Sequence, residues 1–95
     1  MQKSIELLIA LGPLPPASLA DASALKEFER QLAAVQSPVT DEEAGALTKL
    51  FGPDDCFGLA WTLLHLVESA PGWPIKDVLA EMQGKWGDVL RERLE

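Results

Sequence analysis

The sequence predicts a single all-α domain: a compact bundle of five or six short helices, packed as antiparallel hairpins in a helical-repeat-like stack. No stretch of the chain sustains the period-two alternation of apolar and polar residues that a half-buried strand requires. Proline, glycine and helix-capping residues instead recur at helix-length intervals. The length of 95 residues, 47% of them hydrophobic, suits one small core and makes a single domain over 1–95 the expectation.

Two helices joined by a proline-rich connector are predicted in the first part of the chain. The first covers residues 4–11 and ends at Gly12, because glycine is the preferred residue just after a helix. Three prolines between positions 13 and 16 favour an extended connector. The second helix covers about 21–36, since its apolar residues recur at spacings of three and four and share one face. These residues are Leu25, Phe28, Leu32 and Val35.

The third and fourth helices are predicted over residues 40–51 and from 54 or 55 to about 70. Thr40 and Glu43 form a capping-box pattern at the start of the third, and Gly52 and Pro53 end it. The fourth is apolar on nearly every side, which predicts a central helix that contacts several neighbours. The short connection favours antiparallel packing of the two.

The fifth and sixth helices are predicted over 75–82 and 88–94, and we expect them to form a second antiparallel pair. Pro74 suits the first position of the fifth helix, where its missing N–H has no cost. Gly84 and Gly87 interrupt the helical pattern, so the residues between them are expected to separate the two helices.

Three tryptophans are many for a chain of this size, and they divide into two kinds. Trp61 lies within the apolar fourth helix and is predicted to belong to the core. Trp73 lies between prolines and Trp86 lies between glycines. Such tryptophans either cover the core or stand exposed as binding anchors, and residue statistics favour the first role.

Negative charge is concentrated in the middle of the chain. The formal net charge is −7, and the segment from Asp41 to Glu68 holds six acids and one base. Such a surface repels phosphate, which disfavours direct nucleic-acid binding, and attracts a basic protein face. The apolar runs are too short to cross a membrane, and a single cysteine cannot form an intrachain disulfide. These observations predict a cytoplasmic protein that does not act at a membrane.

The sequence lacks the residue sets that catalysis or metal binding requires. Cys56 and His65 are the only cysteine and the only histidine, and on one continuous helix they would lie about 13.5 Å apart. That separation excludes a cysteine–histidine dyad within one subunit, and two such ligands are too few for a zinc site. No glycine-rich phosphate loop is present. We therefore predict no enzymatic activity, no cofactor and no metal.

Two polar residues of the fourth helix keep alternative interpretations open. Cys56 is either a small buried hydrophobe or, near a helix N-terminus, a thiol with a lowered pKa. His65 is three residues before Glu68, so the two side chains can face each other. The pair is either a histidine held at a seam between helices or a polar contact with a partner.

The segment 50–74 carries a recognisable pattern. The acidic pair Asp54-Asp55 leads into a helix that reads W-T-L-L-H-L-V-E from Trp61 to Glu68, and a proline turn follows. About a quarter of the chain thereby resembles the central segment of small bacterial immunity proteins from polymorphic-toxin systems. The resemblance implies a protein that binds a cognate secreted or contact-delivered toxin and blocks it inside the producing cell.

We therefore predict an immunity protein that binds its toxin by occlusion, with an acidic surface that faces a basic region of the toxin. The acids would speed the encounter, and a buried aromatic anchor would supply most of the affinity. The alternative is a helical adaptor or oligomeric scaffold with no toxin partner, and a homodimer also remains open. The predicted contact residues are Glu42, Glu43, Asp54, Asp55 and Trp73.

Overall fold

The computed structural model describes residues 1–94, and in that range all regular secondary structure is helical. The predicted small all-α bundle is confirmed. Short 3-10 turns occupy Ala17–Leu19 and Thr48–Leu50. The six α-helices are α1 (Lys3–Leu11), α2 (Ala22–Ala34), α3 (Asp41–Leu47), α4 (Leu59–Glu68), α5 (Lys76–Glu81) and α6 (Gly84–Glu92).

Hydrogen bonds between helix ends show how the first four helices are arranged. The Gln2 side chain donates to the Gln36 carbonyl at 2.9 Å and accepts from the Gln36 amide at 2.8 Å, so the start of α1 lies beside the end of α2. The Val39 amide donates to the Ser69 hydroxyl at 3.0 Å, which places the start of α3 beside the end of α4. In both pairs the start of the first helix therefore lies beside the end of the second, and the two helices pack against each other, as antiparallel neighbours do.

The core is one contiguous apolar cluster to which all six α-helices contribute. The share of α4 is a single stripe with the spacing i, i+3, i+4, i+7, formed by Ala60, Leu63, Leu64 and Val67. Trp61 lies outside this stripe and is 40% exposed. The prediction that Trp61 belongs to the core is therefore wrong, because the apolar sequence of α4 extends beyond the face that contacts its neighbours.

The start of α3 confirms the predicted capping box. The Thr40 hydroxyl accepts from the Glu43 amide at 3.1 Å, and the Glu43 carboxylate accepts from the Thr40 amide at 2.9 Å. The second carboxylate oxygen of Glu43 accepts from the Gln2 amide at 2.8 Å. Glu43 is only 4% exposed, so this buried carboxylate connects the start of α3 to the start of α1.

Three predicted boundaries in the second half of the chain are wrong. Helix α4 begins at Leu59 rather than at Asp54 or Asp55, because residues 56–58 have left-handed backbone angles. Pro74 precedes α5, because Ile75 has an extended backbone and caps the helix that begins at Lys76. Gly84 begins α6 instead of interrupting it.

Gly87 lies inside α6, where it allows close packing rather than a break. A Cβ atom added at this position would lie 3.0 Å from the Cβ atom of Met82 and 3.1 Å from the Met82 carbonyl oxygen. The missing side chain thus lets α6 approach the end of α5. The Arg91 guanidinium completes this junction by donating to the Leu79 carbonyl at 2.7 Å.

Over residues 1–94, none of the helices combines the length and the apolar character needed to cross a membrane.

Candidate protein-docking site at the start of α4

The segment that leads into α4 is a left-handed turn. Cys56, Phe57 and Gly58 have φ values of 46°, 57° and 87°. Glycine adopts this region freely, but each residue with a side chain loses roughly 1–2 kcal/mol there. A bulky aromatic residue at positive φ is an outlier whose persistence requires an explanation.

Hydrogen bonds from distant parts of the fold hold this turn in place. The Asp54 carboxylate accepts from the Cys56 amide at 2.9 Å and from the Ala17 amide at 3.1 Å. The Asp54 carbonyl accepts from the indole N–H of Trp86 at 3.3 Å. Because its bonds stabilise the turn, Asp54 does not cap α4. The residue at the cap is Gly58, which offers no side chain, and the predicted start of the helix at Asp54 or Asp55 is wrong.

The backbone strain at Cys56 is explained by its burial. Its side chain is fully buried in the core, as the interpretation of a small buried hydrophobe predicted. Burial raises the pKa of the Cys56 thiol, and the charges of Asp54 and Asp55 raise it further. The alternative of a lowered thiol pKa is wrong, because burial and the two neighbouring carboxylates all disfavour the thiolate.

The strain at Phe57 has no such explanation, because 69% of this residue is exposed. Trp61, four residues further on, is also partly exposed and lies edge-on to Trp86 with ring centroids 5.1 Å apart. Trp86 is buried, as predicted for a tryptophan that covers the core, and stacks on Phe51 at 5.4 Å. The buried Trp86, which also donates to the Asp54 carbonyl, therefore supports the base of a turn that presents Phe57 to solvent.

Phe57 forms one wall of an open groove of about 350 Å³ between α2 and α4. Leu25 and Leu59 line it and also pack against the core. Gly58 and Thr62 complete the side of α4, and Glu29 of α2 is the only ionisable residue in the lining. The lining of the groove is thus apolar and polar in similar measure, with one negative charge.

The predicted contact residues do not form one patch. Asp54 and Asp55 lie at the turn, Asp54 half-buried and Asp55 exposed. Glu42 and Glu43 lie in the first turn of α3, separated along the chain from Asp54 by the rest of α3 and the 3-10 turn after it. Trp73 lies near that first turn, because its neighbour Gly72 donates to the Asp41 carboxylate at 2.8 Å.

The predicted contact residues differ in how far they are exposed to solvent. Glu42 and Asp55 are exposed, whereas Glu43 is buried and bonded to two backbone amides. Trp73 is half-buried against the core, and its indole nitrogen is covered. Glu43 is therefore unsuited to direct contact with a partner, and the contact roles of the other four residues stay predictions.

His65 and Glu68 do not form the predicted seam between helices. The His65 side chain is exposed, and its Nδ1 atom lies 3.7 Å from the Glu68 carboxylate, too far for a hydrogen bond. Glu68 instead accepts two hydrogen bonds from the Arg93 guanidinium, at 2.6 and 2.9 Å. Between Met1 and Leu94, no cluster of three histidine, cysteine or acidic residues is placed to hold a metal ion.

Sequence reasoning missed Phe57 because it placed this residue inside a continuous helix. A start of α4 at Leu59 can be suspected from Gly58, but Gly58 alone does not reveal that its two predecessors are also left-handed. The spacing of Ala60, Leu63 and Val67 could have shown that Trp61 lies off the core stripe.

Comparisons with protein-family models, with curated proteins and with solved structures found no match to this chain.

Proposed function

We propose that this chain acts by binding another protein, and that Phe57 is the central apolar contact. The observation that carries the proposal is the presentation of Phe57, which is exposed on a strained turn that the rest of the fold holds in place. Strain of this kind is concentrated at functional sites. A contact residue that is already ordered also loses little conformational entropy when the partner binds.

The charges around Phe57 support a basic partner. Asp55 is exposed two residues away, and Glu29 lies across the groove. The hydrogen bonds of Asp54 come from neutral amides, so they orient its carboxylate without cancelling its charge with a cation. An aromatic anchor among carboxylates favours a partner that presents lysine or arginine, and the charges would also speed association.

The proposed class of partner is a bacterial toxin, which this chain would block by occlusion as an immunity protein. The support for this narrower proposal is the resemblance of the segment 50–74, which includes the turn and α4. One face of the protein would then supply both the apolar contact and the negative charge that the toxin meets.

A helical adaptor is the second candidate, and one observation favours it. One side of α1 exposes Leu7 and Leu11, each by about two fifths. This apolar side belongs to a different helix from the groove beside Phe57. An adaptor or oligomeric scaffold would use both surfaces, whereas an occluding inhibitor requires only one.

The proposal is tested by capture of the partner on immobilised protein from the organism that encodes the chain, followed by binding measurements with the purified partner. The key variant is Phe57→Asn, because asparagine tolerates the left-handed conformation and keeps the turn. The matched control is Leu19→Asn, since Leu19 is 78% exposed on the first 3-10 turn. We expect Phe57→Asn to weaken binding at least tenfold, about 1.4 kcal/mol, while Leu19→Asn binds normally.

The identity of the captured protein separates the two candidates. A basic toxin whose growth inhibition is relieved by co-expression of this chain supports the immunity role. A partner that binds Phe57→Asn and the wild type equally contradicts the docking site, and an acidic partner contradicts its charge. Loss of binding on substitution of Leu7 or Leu11 to asparagine, with Phe57→Asn unaffected, would place the contact on α1 instead.

A further inference from the structure

We infer that the groove beside Phe57 receives an arginine side chain of the partner. The inference rests on the proposed function and adds the chemistry of the contact. An arginine side chain joins a long apolar stem to a planar charged head. The groove offers surfaces that match both parts.

The apolar part of the groove suits the stem. Leu25 and Leu59 form half-buried walls that the core supports from behind, and the Phe57 ring closes one side. The approach to the groove is open at Gly58, where a Cβ atom would have no neighbour within 4 Å. Methylene groups of a long side chain can therefore lie between α2 and the turn without displacing a resident side chain.

The charge of the groove suits the head, because Glu29 is its only ionisable residue. Two cations on α2, Lys26 and Arg30, lie within one turn of Glu29. Arg30 pairs with Glu27, which also accepts from Gln31 at 3.1 Å, and Lys26 takes part in no ion pair among residues 1–94. Within the described residues, Glu29 takes part in no ion pair. Its carboxylate is thus open to a cation from outside the chain.

Arginine fits this pair of surfaces better than lysine does. A guanidinium group stacks on an aromatic face and presents two parallel N–H donors to a carboxylate. A lysine ammonium is compact, strongly hydrated and not planar, so it neither stacks on a ring nor donates two parallel hydrogen bonds to a carboxylate. Phe57 and Glu29 lie on different sides of the groove, so an arginine guanidinium in one orientation would contact both the ring and the carboxylate.

The test uses Nα-acetyl-arginine amide as the probe and follows backbone amide signals of the full chain by ¹⁵N NMR. We expect saturable shifts at Gly58, Leu59 and Thr62. The citrulline analogue has nearly the same shape without the charge, and we expect it to bind about fivefold more weakly. The variant Glu29→Gln should weaken the arginine probe by a similar factor, and Glu92→Gln, on the exposed side of α6, should not.

Three outcomes would overturn the inference: no saturable shifts at the groove, equal binding of the citrulline analogue, or an unchanged affinity in Glu29→Gln. Equal binding of Nα-acetyl-lysine amide would also overturn it, because the site would then recognise charge alone. These failures are distinct from failure of the proposed function. If the probe fails but Phe57→Asn still loses the protein partner, the docking site stands and only its arginine contact is wrong.

Discussion

Helix α3 carries acidic residues in its first turn and α4 follows two aspartates, yet the two helices begin in opposite ways. The start of α3 is a reciprocal pair of bonds between Thr40 and Glu43, three residues apart. The start of α4 has no side-chain cap and follows a left-handed turn. The first start is stabilised chiefly by residues that are close in sequence. The second depends on Ala17 and Trp86, which are more than thirty residues away.

The acid at the start of α3 therefore supports the fold alone, whereas the acid at the turn also supports the exposure of an aromatic side chain. At α3 the buried carboxylate of Glu43 satisfies amides that would otherwise lack partners, and nothing nearby is strained. At the turn, the half-buried carboxylate of Asp54 supports a conformation that exposes an aromatic ring. The substitutions below test whether stability depends mainly on the first start and binding on the second.

The largest expected effect is the loss of stability in Glu43→Ala. This substitution leaves the amides of Thr40 and Gln2 without their acceptor in a buried site, and each unsatisfied group costs about 1–3 kcal/mol. We expect the free energy of unfolding to fall by about 2–4 kcal/mol in urea denaturation. The control is Glu42→Ala at the exposed neighbouring position, and an equal loss in both variants would contradict the structural role of Glu43.

A smaller loss of stability is expected in Asp54→Ala. The amides of Ala17 and Cys56 lose an acceptor that is only half-buried, so water can replace part of it. We expect a loss of about 1–2 kcal/mol in urea denaturation, together with altered NMR signals at Phe57 and Gly58. Asp55→Ala serves as the control, and unchanged signals at the turn would show that Asp54 does not hold it.

Acidic pH should remove part of the stability that Glu43 provides. Hydrogen bonds from the backbone amides of Thr40 and Gln2 lower the pKa of Glu43 below its ordinary value of 4.5. The stabilisation is therefore complete above about pH 4.5 and declines as the pH falls through the lower value in the folded state. We expect the difference in unfolding free energy between wild type and Glu43→Gln to become smaller as the pH falls below about 4.5. A difference that stays constant from pH 7 to acid would contradict this assignment.

The smallest expected effect has the opposite sign and belongs to the turn. Phe57→Asn should raise the free energy of unfolding by up to about 1 kcal/mol, because asparagine tolerates the left-handed region and little buried contact is lost. Thermal and urea denaturation measure the change, with Leu19→Asn as the control. A loss of stability in Phe57→Asn would mean that the ring contributes to the fold, and the comparison between the two starts would then lose its basis.

The sequence predicted those features of the fold that depend on local patterns. The capping box at Thr40, the end of α1 at Gly12 and the apolar face of α2 are each encoded within a few residues and are confirmed. The turn before α4 was missed because Asp54 bonds to Ala17, a partner that no local pattern reveals. The helical role of Gly87 was missed because a glycine that permits close packing looks the same in sequence as one that breaks a helix.

Only part of the candidate site could be predicted from the sequence. Asp54 and Asp55 were identified from charge, and they do lie at the turn. Their aromatic neighbour was not identified, since exposure of Phe57 follows from three successive backbone angles rather than from residue type. The capping-box pattern distinguished Glu43 from the other acids at the start of α3, but it did not reveal that Glu43 is buried and bonded to the Gln2 amide.

The contact between Leu14 and Gly52 has a consequence for evolution and engineering at the turn. Here two segments of main chain cross with no room between them: the Leu14 amide donates to the Leu50 carbonyl at 2.9 Å, and a Cβ atom at Gly52 would lie 2.1 Å from the Leu14 carbonyl oxygen. Any larger residue at position 52 must separate the crossing, and that displacement would pull Ala17 away from Asp54. A position with no side chain is thus linked, through Ala17 and Asp54, to the turn that exposes Phe57.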